Sequence, residues 1–467
     1  MQTNANKLSD PLVRPLIYTL IVCLMSPLFG FNLGFIFAYK PQFVNLFMLE
    51  DRDIDTIINI ILLGMIAGFF FGSFLTNSSG RKTPIIGSFV LGTLSLCAMI
   101  FSSGISLFLL SEFALGACFG IYILTSIIFI TEISLPVNRG FAGLLNAFFI
   151  ALGTLIAILG KDHLPHSALT LAAIIIVYCL IVAAVAVIKL PESPRWLALS
   201  GFSEVSLSVL LNLRQDTGYA ARELANINEC CQGEDRGLSL FIHNDDYRRV
   251  IWYLAFITIM IHLCGAFIIP YHFLDIVKEH QEIFVDLIFP NNYDYDYTLV
   301  KSSVTVAFFG AVTALIASDR IGRRTIMLSA LGMIIVIESI LLFISAMELS
   351  KVSSLFMAGF LLIFVYAASM LIYCFFYVIV SEVLPVRGRE LGVAAILFLN
   401  AILWLIGEEY FAMFTASLGQ ASTLIVEIVA ASFLLIAVYK GLPNTAGKKL
   451  EAMENQLFAS GTLSSLH

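Results

Sequence analysis

A chain of 467 residues that is 59% hydrophobic and 13% charged, with a mean hydropathy of +0.93, cannot clothe a water-soluble surface and reads as a polytopic membrane protein. Its net charge of −7 offers no basic face, which excludes nucleic acid as a partner. The cysteines are scattered, with Cys23, Cys97, Cys118, Cys179 and Cys374 inside apolar runs, so they read as small buried hydrophobes; no spacing indicates a disulfide framework, a metal site or a cofactor.

The first residues, through Arg14, are polar, and the apolar run of about 22 residues that follows is too long for a signal-peptide core, so it is expected to stay as a first span. A window of about 20 residues, the length that crosses the hydrocarbon as a helix, predicts spans over 16–37, 54–76, 84–103, 107–131, 140–160 and 168–190. It predicts six more over 249–275, 301–318, 325–346, 355–381, 390–416 and 419–440, the eighth being short and rich in small residues. The expectation is an all-α membrane protein with twelve transmembrane helices. Residues 1–190 and 249–441 form two six-helix units, 191–248 a cytoplasmic linker with helical stretches, and 442–467 a cytoplasmic tail. The segment 276–300, with Asn291 to Tyr297, is expected as an outer loop. If both termini are cytoplasmic, twenty lysines and arginines fall on inner segments and six on outer ones, the bias expected of that orientation.

Three pairs of motifs recur in the two halves. Ser79-Gly80-Arg81-Lys82-Thr83 after the second span is echoed by Ile321-Gly322-Arg323-Arg324-Thr325 after the eighth. Glu132-Ile133-Ser134-Leu135-Pro136-Val137-Asn138-Arg139 after the fourth is echoed by Glu382-Val383-Leu384-Pro385-Val386-Arg387-Gly388-Arg389 after the tenth. Pro191-Glu192-Ser193-Pro194-Arg195-Trp196-Leu197 ends the sixth span, where two prolines stop the helix and Trp196 suits the membrane interface, and Pro443 to Glu451 follows the twelfth in the same way. Motif pairs in register over two sets of spans indicate parallel repeats.

The stretch from Pro191 to Leu197 closely resembles the PESPRWL signature of the sugar porters of the major facilitator superfamily, and the other motifs match that family over almost the whole chain. The resemblance implies the major facilitator fold and alternating access. It also implies an inner-face salt-bridge network, which here falls on Arg81, Lys82, Glu132, Arg139, Glu192, Arg195, Asp319, Arg320, Arg323, Arg324, Glu382 and Arg389. In the first half Asn77-Ser78-Ser79 stands where the family has an acidic residue, so that side of the gate is expected to be weaker, or closed by Glu132, Arg139, Glu192 and Arg195.

Uncharged solutes need a few amide, hydroxyl and imidazole groups near the bilayer midplane, with an aromatic wall beside them. The seventh span reads Ile261-His262-Leu263-Cys264-Gly265-Ala266-Phe267 where the family has Gln-Gln-x-Ser-Gly-x-Asn, and the tenth carries Tyr373-Cys374-Phe375-Phe376-Tyr377, so the cavity should be unusually apolar and aromatic. The candidate solute-binding residues are Asn32, Asn146, His262, His272, Tyr377, Asn400 and Trp404. The histidines could equally bond neighbouring helices. Proton-coupled members carry Gly-Phe-Asp in the first span and an arginine in the fourth; here Gly30-Phe31-Asn32 and Glu112 occupy those places, with Glu112 expected as a solvated interfacial carboxylate. The wording resembles the facilitative glucose and insect trehalose-type members and implies uniport of a small neutral solute, a sugar or polyol, across the plasma membrane. The rival reading is a relative that no longer transports and acts as a sensor or binding partner. No nucleophile and base, nucleotide loop or metal spacing suggests an enzyme. Oligomeric state is open.

Overall fold

The computed structural model describes residues 3–48, 51–163, 168–230, 235–273, 276, 295–345 and 351–460. Among the described residues twelve helices are long and apolar enough to cross a membrane: Val13–Ala38, Asp55–Ser79, Lys82–Ile100, Ile105–Ile133, Arg139–His163, Leu169–Lys189, Asp245–Tyr271, Tyr297–Ile321, Arg323–Ser345, Ala358–Val383, Val386–Gly407 and Ala421–Gly441. Every span read from hydropathy has its counterpart. The eighth is longer than expected, because the helix runs over Tyr295–Ile321 and takes in Tyr297, which the sequence placed in a loop. The rest of that loop, 277–294, lies outside the described residues. Side chains on the circumference are apolar, among them the exposed Phe70, Phe74, Ile188 and Phe433. That is the inverse of a water-soluble bundle and matches a hydrocarbon solvent.

Three spans are not regular helices throughout. The first breaks at Leu24 to Ser26 and restarts at Pro27, which occupies the first position of the new helix where its missing N–H is harmless. The seventh breaks after Leu263, where Gly265 turns with φ +70°. The tenth contains a π-helical turn over Phe375–Ile379, which includes Tyr377 and lies just after Tyr373, the kind of local widening that redirects side chains at functional sites. Such interruptions persist within a membrane where protein or a cavity, not lipid, adjoins them.

Between the sixth and seventh spans lie short helices over Pro194–Leu199, Ser203–Arg214, Thr217–Cys230 and Leu238–His243, and a final helix runs over Leu450–Ser460. Ser193 caps the first of these, its hydroxyl accepting the Trp196 N–H. These helices pack on the same end of the bundle as the two Gly-Arg loops, and this is termed the Arg-rich end below.

Candidate functional site

A cavity of about 350 Å³ opens between the two sets of six spans. Its floor and walls come from the first, second, fourth and fifth spans on one side and the seventh, eighth, tenth and eleventh on the other. Phe37, Phe69, Phe119, Phe267, Phe376, Tyr373, Tyr377 and Trp404 supply an aromatic lining, broken by the polar groups of Ser303, Ser369 and Asn400. Asn400 Oδ1 is 3.0 Å from His262 Nε2, and the imidazole stacks on Phe267 with ring centroids 4.4 Å apart. Trp404 Nε1 is buried with no hydrogen-bond partner, and its ring lies 5.4 Å from that of Phe267. A buried indole N–H without an acceptor is a donor waiting for one, such as a solute hydroxyl.

Of the seven residues singled out for solute contact, Tyr377, Asn400 and Trp404 line the cavity, whereas the other four do not. His262 stands behind Phe267 and orients Asn400. Asn146 is fully buried within the first half, donating to Ser126 Oγ at 2.8 Å and accepting from Ser26 and Tyr122. His272 sits at the end of the seventh span, its ring edge-on to Tyr271. Asn32 turns away from the cavity and donates to Glu112 Oε2 at 2.8 Å. Glu112 was expected to be solvated, yet it has no exposed surface and its other oxygen, Oε1, has no partner. The helix extends above it to Ile105, so its position counted from the apolar run understated its depth.

The Arg-rich end is sealed by charges that would be unremarkable if exposed but are buried here. Gly80 and Gly322, with φ of +83° and +88°, make the two tight turns that aim Arg81 and Arg323 inward. Arg81 donates to Glu132 through Nε and Nη2, both at 2.9 Å, and Arg323 Nη2 lies 3.1 Å from Glu382 Oε1, the same bond repeated in the second half. Each arginine also reaches back to a carbonyl of the preceding helix, Thr76 O or Ser318 O, at 3.2 Å.

The repeat then diverges in a complementary way. Arg323 takes a second carboxylate from Asp319 at 2.8 Å, within its own half. Arg81 has Asn77 at the equivalent place, and its second carboxylate is Glu390, from the other half of the molecule. Opposite Asp319 stands Gly140, where a Cβ would come within 2.7 Å of both the Arg323 guanidinium and the Asp319 carboxylate. Asp319 instead accepts the Gly140 and Phe141 N–H groups at 3.1 and 2.7 Å, again across the halves. The acid missing from the first half is therefore replaced from across the interface, and Glu132, Arg139, Glu192 and Arg195, named as the alternative closure, also bond at this end. Burial works against the Arg81 charge, but Glu132 and Glu390 more than offset it and hold its pKa above the ordinary arginine value.

Further bonds join the halves. Arg389 Nη1 lies 3.7 Å from Glu132, not paired with Glu382, and Thr131 and Ser381 hydroxyls are 2.7 Å apart. Glu192 accepts the backbone N–H groups of Arg81 at 2.7 Å and Lys82 at 3.2 Å, so Lys82 contributes its backbone, not its ammonium. Arg195 donates to the Glu132 carbonyl and to Glu451 at 2.6 Å, and Arg139 to the Lys448 carbonyl at 3.1 Å, which brings the tail into the seal. Thr445 donates to Glu382 at 2.5 Å. Burial opposes ionisation of Glu451, yet the Arg195 guanidinium holds its carboxyl down at about 2. Arg320 is exposed and Arg324 turns to the Tyr439 carbonyl and ring, so neither joins the set. Sequence reading left Glu390 and Glu451 out of the gate; Glu390 directly follows the motif residue Arg389 and Glu451 ends the Pro443 to Glu451 motif, which is the signal that could have found them.

At the opposite end the described contacts between the halves are more exposed. Tyr271 Oη donates to Asp55 at 2.8 Å, Lys301 pairs with Asp162, and Tyr297 donates to the Ile158 carbonyl. These groups are exposed or half-exposed, where such bonds contribute little.

A family model described as sugar (and other) transporter matches residues 18–457. The galactose-proton symporter of Escherichia coli strain K12 is 26% identical over 455 residues, covering 94% of each chain. The facilitated trehalose transporter Tret1 of Polypedilum vanderplanki is 24% identical over 470 residues, covering 96% of this chain and 90% of its own. Among solved structures, the proton:xylose symporter XylE bound to 6-bromo-6-deoxy-D-glucose, a major facilitator superfamily protein, superposes with a TM-score of 0.79 at 18% identity, over 94% of this chain and 98% of its own.

Proposed function

Because the chain belongs to the sugar transporter family of the major facilitator superfamily, and so to transporters and not enzymes, we propose that it moves a small neutral solute, a sugar or polyol, by facilitative alternating access. The observation that carries this reading is the cavity between the halves, enclosed by aromatic rings and closed at the Arg-rich end by bonds that exist only while the halves are together. Two such bodies, residues 1–190 and 249–441, rock about the cavity, and the segment 191–248 travels with the Arg-rich end. The lysine and arginine bias supports a cytoplasmic position for that end and both termini, in the plasma membrane on this reading.

The chemistry of the lining selects the solute class. Rings of Phe267, Trp404 and Tyr377 offer faces for the apolar side of a pyranose or cyclitol, while Asn400 and the Trp404 N–H supply directional bonds to hydroxyls. His262 acts at one remove, since its bond to Asn400 Oδ1 leaves the Asn400 amide N–H groups to turn toward the cavity. A charged solute would find no counter-ion among the lining residues. Uniport is favoured because Asn32 does not titrate and no cation lies within ion-pair distance of Glu112 among the described residues to take up the charge when a proton leaves. The test is uptake of a labelled panel of hexoses, pentoses, disaccharides and cyclitols into proteoliposomes. Saturable, equilibrating uptake of a neutral member supports the reading, and binding without uptake of any member favours the sensor instead.

A further inference from the structure

Where the first and fourth spans meet, two acceptors are left without donors. Asn32 and Glu112 are 1% and 0% exposed, and the single bond between them runs from Asn32 Nδ2 to Glu112 Oε2 at 2.8 Å. The remaining oxygen of each group, Asn32 Oδ1 and Glu112 Oε1, is buried and unpartnered. With Glu112 ionised, no rearrangement of these two groups can satisfy both, since each of the free atoms is an acceptor and the amide has only N–H donors to give to the carboxylate. The charge itself would also be unbalanced. No lysine, arginine or histidine among the described residues lies within 4.0 Å of the carboxyl, and the other titratable groups of the fourth span, Cys118, Tyr122 and Glu132, supply no cation: Tyr122 is engaged with the Val22 carbonyl and Ser26 nearly three turns away, and Glu132 with Arg81 at the far end of the helix. An uncompensated buried carboxylate is strongly disfavoured.

One proton removes both defects. Placed on Oε1, it turns that atom into a donor for Asn32 Oδ1, and the terminal carboxyl and amide torsions are soft enough to bring the two together without backbone movement. The result is a carboxylic acid and a primary amide joined by two reciprocal hydrogen bonds, with no charge and no orphan. We propose that Glu112 and Asn32 form an intramembrane proton-binding site, occupied by one proton at neutral pH as a closed acid–amide pair that ties the first span to the fourth. This deepens the uniport reading: the proton is held because nothing adjacent can replace it, so the pair stays neutral while the halves move.

The full-length protein in liposomes is examined by infrared spectroscopy, taking the difference between wild type and Glu112→Gln. Gln can form the same two bonds with Asn32 as an amide–amide pair, so the variant should fold. Buried carboxyls elsewhere, such as Glu338 and Glu427, cancel in the difference. The expected result is loss of a protonated-acid carbonyl band that shifts in heavy water and persists well above the ordinary glutamate pKa of about 4.3. A carboxylate band in its place overturns the site. Should Glu112→Gln fail to fold, Asn32→Ala serves, because it frees the acid from its amide and should move the same band to higher frequency; an unmoved band overturns the pairing. Uptake under an imposed proton gradient is read separately. An acid band together with gradient-driven accumulation leaves the site standing and refutes uniport, whereas a carboxylate band with equilibrating uptake does the reverse.

Discussion

Glu390→Gln should loosen the Arg-rich end without unfolding the protein. Arg81 and Glu390 lie 309 residues apart and belong to different halves, so their bond contributes only while that end is closed. Replacing the carboxylate by an isosteric amide removes one charge-assisted bond, worth about 1.5–3 kcal/mol. Arg81 keeps its two bonds of 2.9 Å to Glu132, so no guanidinium is abandoned in the interior and the larger penalty for breaking a buried pair does not apply. At 1.36 kcal/mol per tenfold, the ratio of closed to open at this end should fall by about 10- to 150-fold. A population of about 99:1 would become comparable in the two states at the upper part of that range. Pulsed electron resonance between spin labels at the exposed positions Ser78 and Arg320, on opposite halves at this end, reads the change as a new long-distance component. An unchanged distance distribution in a variant of normal thermal stability would refute the idea that the cross-half bond holds the end shut.

Glu382→Gln should shift the same distances less, because Arg323 and Glu382 lie in one half and their bond survives opening; an equal or larger shift would show that the strength of the seal is not set by which half each partner occupies. The Arg195–Glu451 latch should be pH-sensitive in one direction: the folded-state pKa of Glu451 is lowered, so its stabilisation is present above the ordinary value of about 4.3 and lost as pH falls toward about 2, and protease access to the tail should rise across that window in the wild type but not in Glu451→Gln. A single cysteine at Ser208, exposed on the linker, should resist impermeant reagents added outside intact cells; rapid labelling would invert the orientation. Trp404→Phe keeps the ring and removes the unpartnered N–H, so solute affinity should fall by about 10-fold, one hydrogen bond's worth, with expression intact; unchanged affinity would remove Trp404 from the list of donors.

What the sequence determined by itself was what the bilayer and the chain's own repeats impose. In hydrocarbon a helix satisfies its own backbone and needs an apolar surface, so composition and windows of hydropathy were enough to locate twelve spans, while the motifs and the family they resemble pointed to Arg81, Glu132, Arg323 and Glu382, which the structure pairs as Arg81–Glu132 and Arg323–Glu382. The motif residues were legible because the repeat presents them twice; their partners were not. Only the tertiary structure decided what happens between the halves and beneath the helix surfaces. It supplied Glu390 where the first half lacks an acid, gave Asp319 the backbone of Gly140, turned His262 and Asn32 from solute ligands into partners of Asn400 and Glu112, and buried a carboxylate that linear position had placed in water. These facts depend on which face of each helix meets another and how deep it sits. A helix repeats its faces every 3.6 residues while pairing partners chosen across hundreds of residues, so the period tells which side chains share a face and leaves open what that face will meet.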